Sequence, residues 1–514
     1  MNTNDNRRRN ITKLLPRHRA RQRGFSIIAV MAILSVAVVM TYAMLRADVM
    51  SIQLSRNTDR ASAARQAART GLAMAIRRMH HASEWGGVSS VYSQSLGATE
   101  SFTATYSAGD PNLTTTDPDW EDYPYRVTID VQGFAVDTMV SNNVAIANIR
   151  AVVKLVPVAM PAELTNWSTV LQHTIYQADN LDVKIELPCR FEGSVRLQGP
   201  LLIADQYPDD TDARNDYLQD LNDAQLDGQP DYRPFDGPVN LPFSEQDSGM
   251  LNDLTVLLGV PVVDIPVSEI PSDWDTQPKP KDFSTYQIYP GGPIYSTETL
   301  SGTMSGVTFA PNPLTNPLGL FEKSSDLTLK DSASIRGTLI VDKKLKLDGT
   351  GISILPVDML PLDGTTSPVQ LPSVLANDLE VKDGATATVT GLVGLWNKLK
   401  VAAGVYNTTF DFKGHLVFPK FDVQPRTEWS SSNWGFWHWM FGLTAPATGP
   451  NQYFPFWLMN PPMSFSPIPL LTFKQDTQPA TYHWKDPDPN VTVYIPRSGD
   501  DGLFWDVLRV EMEP

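Results

Sequence analysis

The sequence predicts an α+β module, one long helix followed by a small antiparallel sheet, joined to a larger and mostly β region. Three observations carry this. Residues 25–45 form an apolar run without one charged side chain, and no proline interrupts 25–81. Residues 125–136 alternate apolar and polar side chains. A stretch at 326–347 recurs at 378–401. The recurrence predicts a short β-solenoid with a long insertion. A β-sandwich with duplicated hairpins is the other architecture that the same pattern allows.

The helix comes first. Arg17, Arg19, Arg21 and Arg23 crowd up to Gly24, and the apolar run from Phe25 to Leu45 comes directly after. As a helix those residues span ~31 Å, enough for a hydrocarbon core of ~30 Å. The basic flank on one side only places residues 1–24 in the cytoplasm and sends the rest across the membrane. The run is too long for a cleaved secretory signal, and Ala43-Met44-Leu45-Arg46 is a poor cleavage site. A plain signal anchor fits the same pattern. Beyond the span, Ala64, Ala67, Ala68, Gly71, Leu72, Ala75, Ile76 and Met79 recur at three- and four-residue spacing, so the helix continues to residue 81 with one apolar face. Its small residues pack either on the chain's own sheet or in the core of a helical filament. Ser83 and Gly86-Gly87 end it.

Three β segments come after a polar linker: Ser101–Ser107, Tyr125–Val136 and Asn143–Val156. Pro157 and Pro161 close the module, which makes residues 82–157 the sheet. In the repeat, Asp326-Leu-Thr-Leu-Lys-Asp matches Asp378-Leu-Glu-Val-Lys-Asp, and Asn180-Leu-Asp-Val-Lys-Ile is a fainter copy. One repeat cannot bury its apolar face alone, so the 180s, 330s and 380s are expected to be neighbours. Repeats therefore cover 158–204 and 325–425. Residues 205–324, rich in Pro, Asp and Asn, read as an insertion. Residues 426–514 are an aromatic-rich β region with Trp429, Trp434, Trp437, Trp439, Trp457, Trp484 and Trp505. They form a core or a partner-binding patch. The last strand pair is expected at Val491–Ile495 and Phe504–Val510.

Charge divides sharply. Of 41 Lys+Arg and 57 Asp+Glu, residues 1–23 hold eight basic side chains against Asp5, which leaves the remainder acidic by about 23 charges. An acidic exported part argues against non-specific nucleic-acid binding, which needs Lys and Arg on phosphates. The single cysteine, Cys189, excludes an intramolecular disulfide and a cysteine-based zinc site. The histidines are His18, His80, His81, His173, His415, His438 and His483, and no HExxH, GxSxG or P-loop accompanies them. No acid/base or nucleophile constellation is legible, so no enzyme is predicted. Asp210, Asp212 and Asp216 are the candidate calcium ligands. Their loop lacks the glycine and bidentate glutamate of an EF-hand, and a solvated acidic loop accounts for it equally.

Arg23-Gly24-Phe25-Ser26, followed by Ile27-Ile28, resembles the type III signal of the type IV pilin superfamily. The resemblance implies cleavage between Gly24 and Phe25 by a prepilin peptidase and methylation of the new terminus. Residues 58–76 also resemble the alanine-rich stretch of the PilX-type minor pilins and secretion-pathway K-type pseudopilins. That stretch ends in an A-x-x-G-(L/V) pattern, here Ala68 to Leu72 with Gly71. The chain departs from most pilins at the fifth mature position, where Ala29 replaces glutamate; the K-type pseudopilins and some PilX-type minor pilins lack the glutamate as well. The resemblance implies a bacterial inner-membrane protein with a single pass and an exported C-terminal part. It implies a major pilin or other pseudopilins as partners, in a surface or periplasmic filament. Some K-type pseudopilins bind calcium. The reading from another class is a signal-anchored envelope protein whose β-solenoid binds or processes polysaccharide.

Overall fold

The computed structural model describes residues 25–137, 143–156, 170–185, 189–203, 235–267, 286–292, 297–359, 368–403, 408–425, 470–475, 481–482, 493–494 and 502–513. Helix α1 runs from Phe25 to Met79, 55 residues or ~82 Å at the helical rise. It stops two residues short of the expected end. His80 turns the chain, a short helix α2 (Ala82–Trp85) comes next, and Gly86 and Gly87 close it at φ 74° and 83°. Those left-handed backbones suit glycine, which has no Cβ to clash.

The sheet is antiparallel and holds five strands. β1 (Val91–Ser95), β2 (Glu100–Ala108), β3 (Arg126–Val136) and β4 (Val144–Leu155) lie side by side in chain order. The fifth, β5 (Trp505–Glu513), comes from the end of the chain and pairs with β4 from Trp505↔Leu155 to Glu513↔Asn148. The expected pairing of the last two strands does not form. Val493–Tyr494 pairs in parallel with Tyr286–Gln287 instead.

The rest is mostly parallel β structure in which each short strand hydrogen-bonds to a strand of the next turn of chain. Three columns of inward side chains result. In the first, Phe321, Leu339, Val374, Val393, Leu416, Ile175, Val195 and Val239 succeed one another in register. The second runs Leu327, Leu345, Leu379, Leu399, Phe421, Val183 and Leu201. The third runs Phe309, Ile335, Ile354, Val389, Phe412, Phe473, Phe191 and Phe235. All three feed one apolar core. The alternation in each strand sends every second side chain there.

The order of turns is not the order of the sequence. Residues 175–177 pack on 416–418 in mid-stack, and the chain runs from there to 262–264. It resumes at Glu298–Thr299, at the other end, and returns turn by turn to 470–474. The first two repeat copies touch in the second column, Leu345 of one opposite Leu379 of the other, and one strand at Phe421 separates Leu399 from Val183 of the faint copy. Leu345 lies between Leu327 and Leu379, and Leu399 and Phe421 lie between Leu379 and Val183. The offset of 52 residues spans two turns of chain. Residues 235–264 and 298–323, expected in an insertion, carry strands of the same stack.

The outward face of the second column explains the charged half of the repeat. Lys344 and Lys346 lie opposite Asp378 and Glu380, which lie opposite Lys398 and Lys400. Lys346 also pairs with Asp326 at 2.9 Å, and Lys382 with Glu380 at 2.7 Å. Opposite charges across neighbouring strands favour this register over a slipped one.

Candidate functional site

The feature with the least cover is the first half of α1. Every large apolar side chain from Ile27 to Leu54 is more than half exposed, Leu45 at 59% among them. Ser35 and Thr41 return their hydroxyls to the carbonyls of Met31 and Ala37 at 2.6 and 2.8 Å, so these polar groups are satisfied within the helix. This is the one helix among the described residues long and apolar enough to cross a membrane. It fits a single-pass anchor, because in hydrocarbon every backbone group must be bonded internally. Ala29 lies in this exposed stretch. Phe25 is the first residue of α1, whereas Gly24 falls outside the described residues.

The second half of α1 is seated on the sheet. Ala64, Ala68, Leu72, Ala75 and Met79 are buried with Phe102, Ala104, Val127, Ile129, Val131, Ile149 and Ala151 nearby. From Ala64 onward, therefore, the small-residue stripe serves the chain's own sheet. The approach is close enough to need glycine on both sides. A Cβ on Gly133 would stand 2.2 Å from the carbonyl oxygen of Ala64 and 2.4 Å from the amide nitrogen of Ala68. One on Gly71 would stand 2.5 Å from the ring of Phe102. Tyr106 aims its hydroxyl at the carbonyl of Ala75, 3.5 Å away, and burial pushes that phenol up to about 12 despite Arg78 nearby.

Below the seat, an aromatic cluster joins the parts. Trp85 lies 5.5 Å from Tyr106, 5.8 Å from Tyr289 and 5.4 Å from Trp505, between ring centroids. Around it, outward residues of the first column (Leu320, Ile340, Leu375, Val417) share one core with Met79 and Val127. Sheet and stack are thus packed together. Arg336 adds a two-pronged bond to Glu121 at 3.0 and 3.2 Å, and Tyr289 donates to the carbonyl of Arg126 at 3.3 Å. Beside the cluster, buried Asp110 takes Arg126 at 3.3 Å and Arg509 at 3.1 Å, while Arg126 also meets Asp119 and Asp122. Here guanidinium groups occupy the space among carboxylates that a cation would otherwise take. Sequence reasoning missed this ion group, because no local pattern marks Asp110, Asp119, Asp122 and Arg126 as partners and Arg509 arrives from the far end of the chain.

Chemistry elsewhere is sparse. No group of three or more His, Cys, Asp or Glu side chains placed to hold a metal occurs among the described residues. Asp210, Asp212 and Asp216 lie outside them, as do His18, His438 and His483. His173 sits 2.8 Å from the Ser194 hydroxyl. Burial, then Arg196 and His415, lower its pKa to about 4, so it is neutral at pH 7. Among the described residues no carboxylate is placed to orient this ring, the third member that an activated hydroxyl–imidazole pair uses. His80 bonds the carbonyl of Leu503 at 2.7 Å, and His415 that of His173 at 2.8 Å. Cys189 is buried in the core of the stack, and burial pushes its thiol up. Of the tryptophans the sequence singles out, Trp505 is the one with a described environment; Trp429, Trp434, Trp437, Trp439, Trp457 and Trp484 lie outside.

No protein-family model, curated protein or solved structure matches the chain.

Proposed function

We propose that the chain is a minor pilin or pseudopilin-like subunit of a type IV pilus or type II secretion-like filament. The observation that carries this reading is α1. Its apolar first half starts at Phe25, directly after a basic leader and Gly24, and is uncovered from Ile27 onward, and its second half seats Ala68, Gly71 and Leu72 on an antiparallel sheet. In this reading a prepilin peptidase removes residues 1–24 and Phe25 is methylated. The mature chain sits in a bacterial inner membrane with its C-terminal part exported, alongside a major pilin or other pseudopilins. Ala29 leaves no carboxylate to neutralise a neighbour's terminal amine in the bilayer, where an unpaired charge is costly. The subunit therefore enters a filament at low copy number. The parallel stack, read as a β-solenoid, is the rigid body it presents or caps with, and no reaction is assigned to it. Neither calcium nor any cofactor is part of the proposal.

Intact-mass analysis of the protein from its native membrane is the test. Loss of residues 1–24 with a methylated Phe25 is the expected result. A mature chain that begins at Met1 leaves the signal-anchored envelope protein whose stack binds or processes polysaccharide. Counting the chain against the major subunit in purified filaments tests the second half. Near-equal abundance defeats the low-copy reading.

A further inference from the structure

The end of the chain completes a sheet that the beginning lays down. Trp505 Nε1 donates to the carbonyl of Met79 at 2.9 Å, and its ring closes the cluster of Trp85 and Tyr289. Just before it, the Leu503 amide donates to the carbonyl of His80 at 2.8 Å, and Gly502 bridges His81. Further on, Arg509 reaches Asp110. Apart from Tyr289, each partner lies in α1, in the turn and short helix α2 after it, or in the segment 91–155. The last carbonyls of a helix have no partner within it, and here the C-terminal segment supplies two of the missing donors at the turn out of α1. β5 also covers the edge of β4, whose row of backbone groups would otherwise stand open. All of these partners are synthesised before the strand that satisfies them.

We propose that residues 502–513 act as a latch. The helix–sheet module reaches its final packing only when the end of the chain has docked, and the β4 edge with the Trp85 cluster is a receptor that accepts this strand as a separable peptide. The stack, which lies between β4 and β5 in the sequence, is thereby clamped at both ends onto one sheet. The latch is independent of the filament reading, since it rests on contacts within the chain.

The experiment uses the full chain with a protease site placed within residues 496–500, cut after folding so that no variant has to fold without its end. The cut protein is then offered a labelled peptide of residues 502–514. The expected result has three parts. The native end stays bound after the cut and is replaced by the labelled peptide. A peptide carrying Trp505→Ala and Arg509→Ala does not replace it. When the end is stripped away, amides of 64–79 and of β4 exchange about tenfold faster or more, while those of 338–347 keep their rates. Departure of the end without faster exchange in 64–79 and β4 overturns the latch. So does replacement by the doubly substituted peptide at an equal rate, or an end that leaves only when the stack unfolds as well.

Discussion

Replacing Gly133 by alanine tests whether the seat of α1 is set by backbone contact. Gly133 is in the middle of β3, in extended backbone, so alanine meets no conformational penalty of its own. The added Cβ lands 2.2 Å from the Ala64 carbonyl oxygen and 2.4 Å from the Ala68 amide nitrogen, both backbone atoms of a helix that cannot rotate away. Overpacking of this kind costs about 1–3 kcal/mol. Glycine to alanine on its own stabilises by about 0.4–1 kcal/mol, through the unfolded chain. At the middle of both ranges the net loss is about 1.3 kcal/mol, which at about 2–4 °C per kcal/mol lowers the melting temperature by about 3–5 °C. Gly97→Ala is the control. Its Cβ would meet only the Glu100 Oε2 at 3.7 Å, so the same substitution there is neutral or slightly stabilising. Gly71→Ala falls between them, because the Phe102 ring can tilt where a helix backbone cannot. The assay is thermal unfolding of the detergent-solubilised chain, with amide exchange of residues 64–79 to localise the effect. A Gly133→Ala protein that melts no lower than Gly97→Ala, with unchanged exchange, refutes the close-contact seat.

The ion group, the buried thiol and the buried imidazole give three further expected outcomes. Asp110→Asn strips a buried carboxylate from two guanidinium groups and should cost about 2–3 kcal/mol by urea unfolding; Asp119→Asn, at an exposed partner of Arg126, should change stability by less than about 0.5 kcal/mol. Cys189, buried with its thiol pushed up, should resist iodoacetamide until the stack unfolds, so labelling at the rate of a free thiol in native buffer would contradict its placement. His173 is held neutral down to about 4, below its ordinary 6.5, so the unfolded chain takes the proton first as pH falls. The stability it contributes is complete above about pH 6.5 and is lost towards pH 4. His173→Gln should flatten the stability–pH curve in that window, and an unchanged slope there would rule the effect out.

The long helix, its apolar and amphipathic halves, and the β character of the remaining chain were legible before any fold was known. Those are local properties. A run from Phe25 to Leu45 without charge, or alternation from Tyr125 onward, dictates which faces need cover wherever the chain goes. The charges of the Asp326 and Asp378 copies were legible for the same reason, whereas Ser83 and Gly86-Gly87, expected to end the long helix, lie within and after the separate short helix α2. Strand partners were not. The inward residues of the columns are Leu, Val, Ile and Phe throughout, and such side chains fit one another nearly interchangeably, so their order along the stack leaves no local mark. Assembly of the molecule determines that Ile175 succeeds Leu416, or that Leu327 and Leu379 are separated by Leu345. The same holds for β5. Its alternation announces a strand, but its partner is Leu155, most of the chain away, chosen by an open edge, an aromatic pocket and a buried aspartate that exist only once the rest has folded.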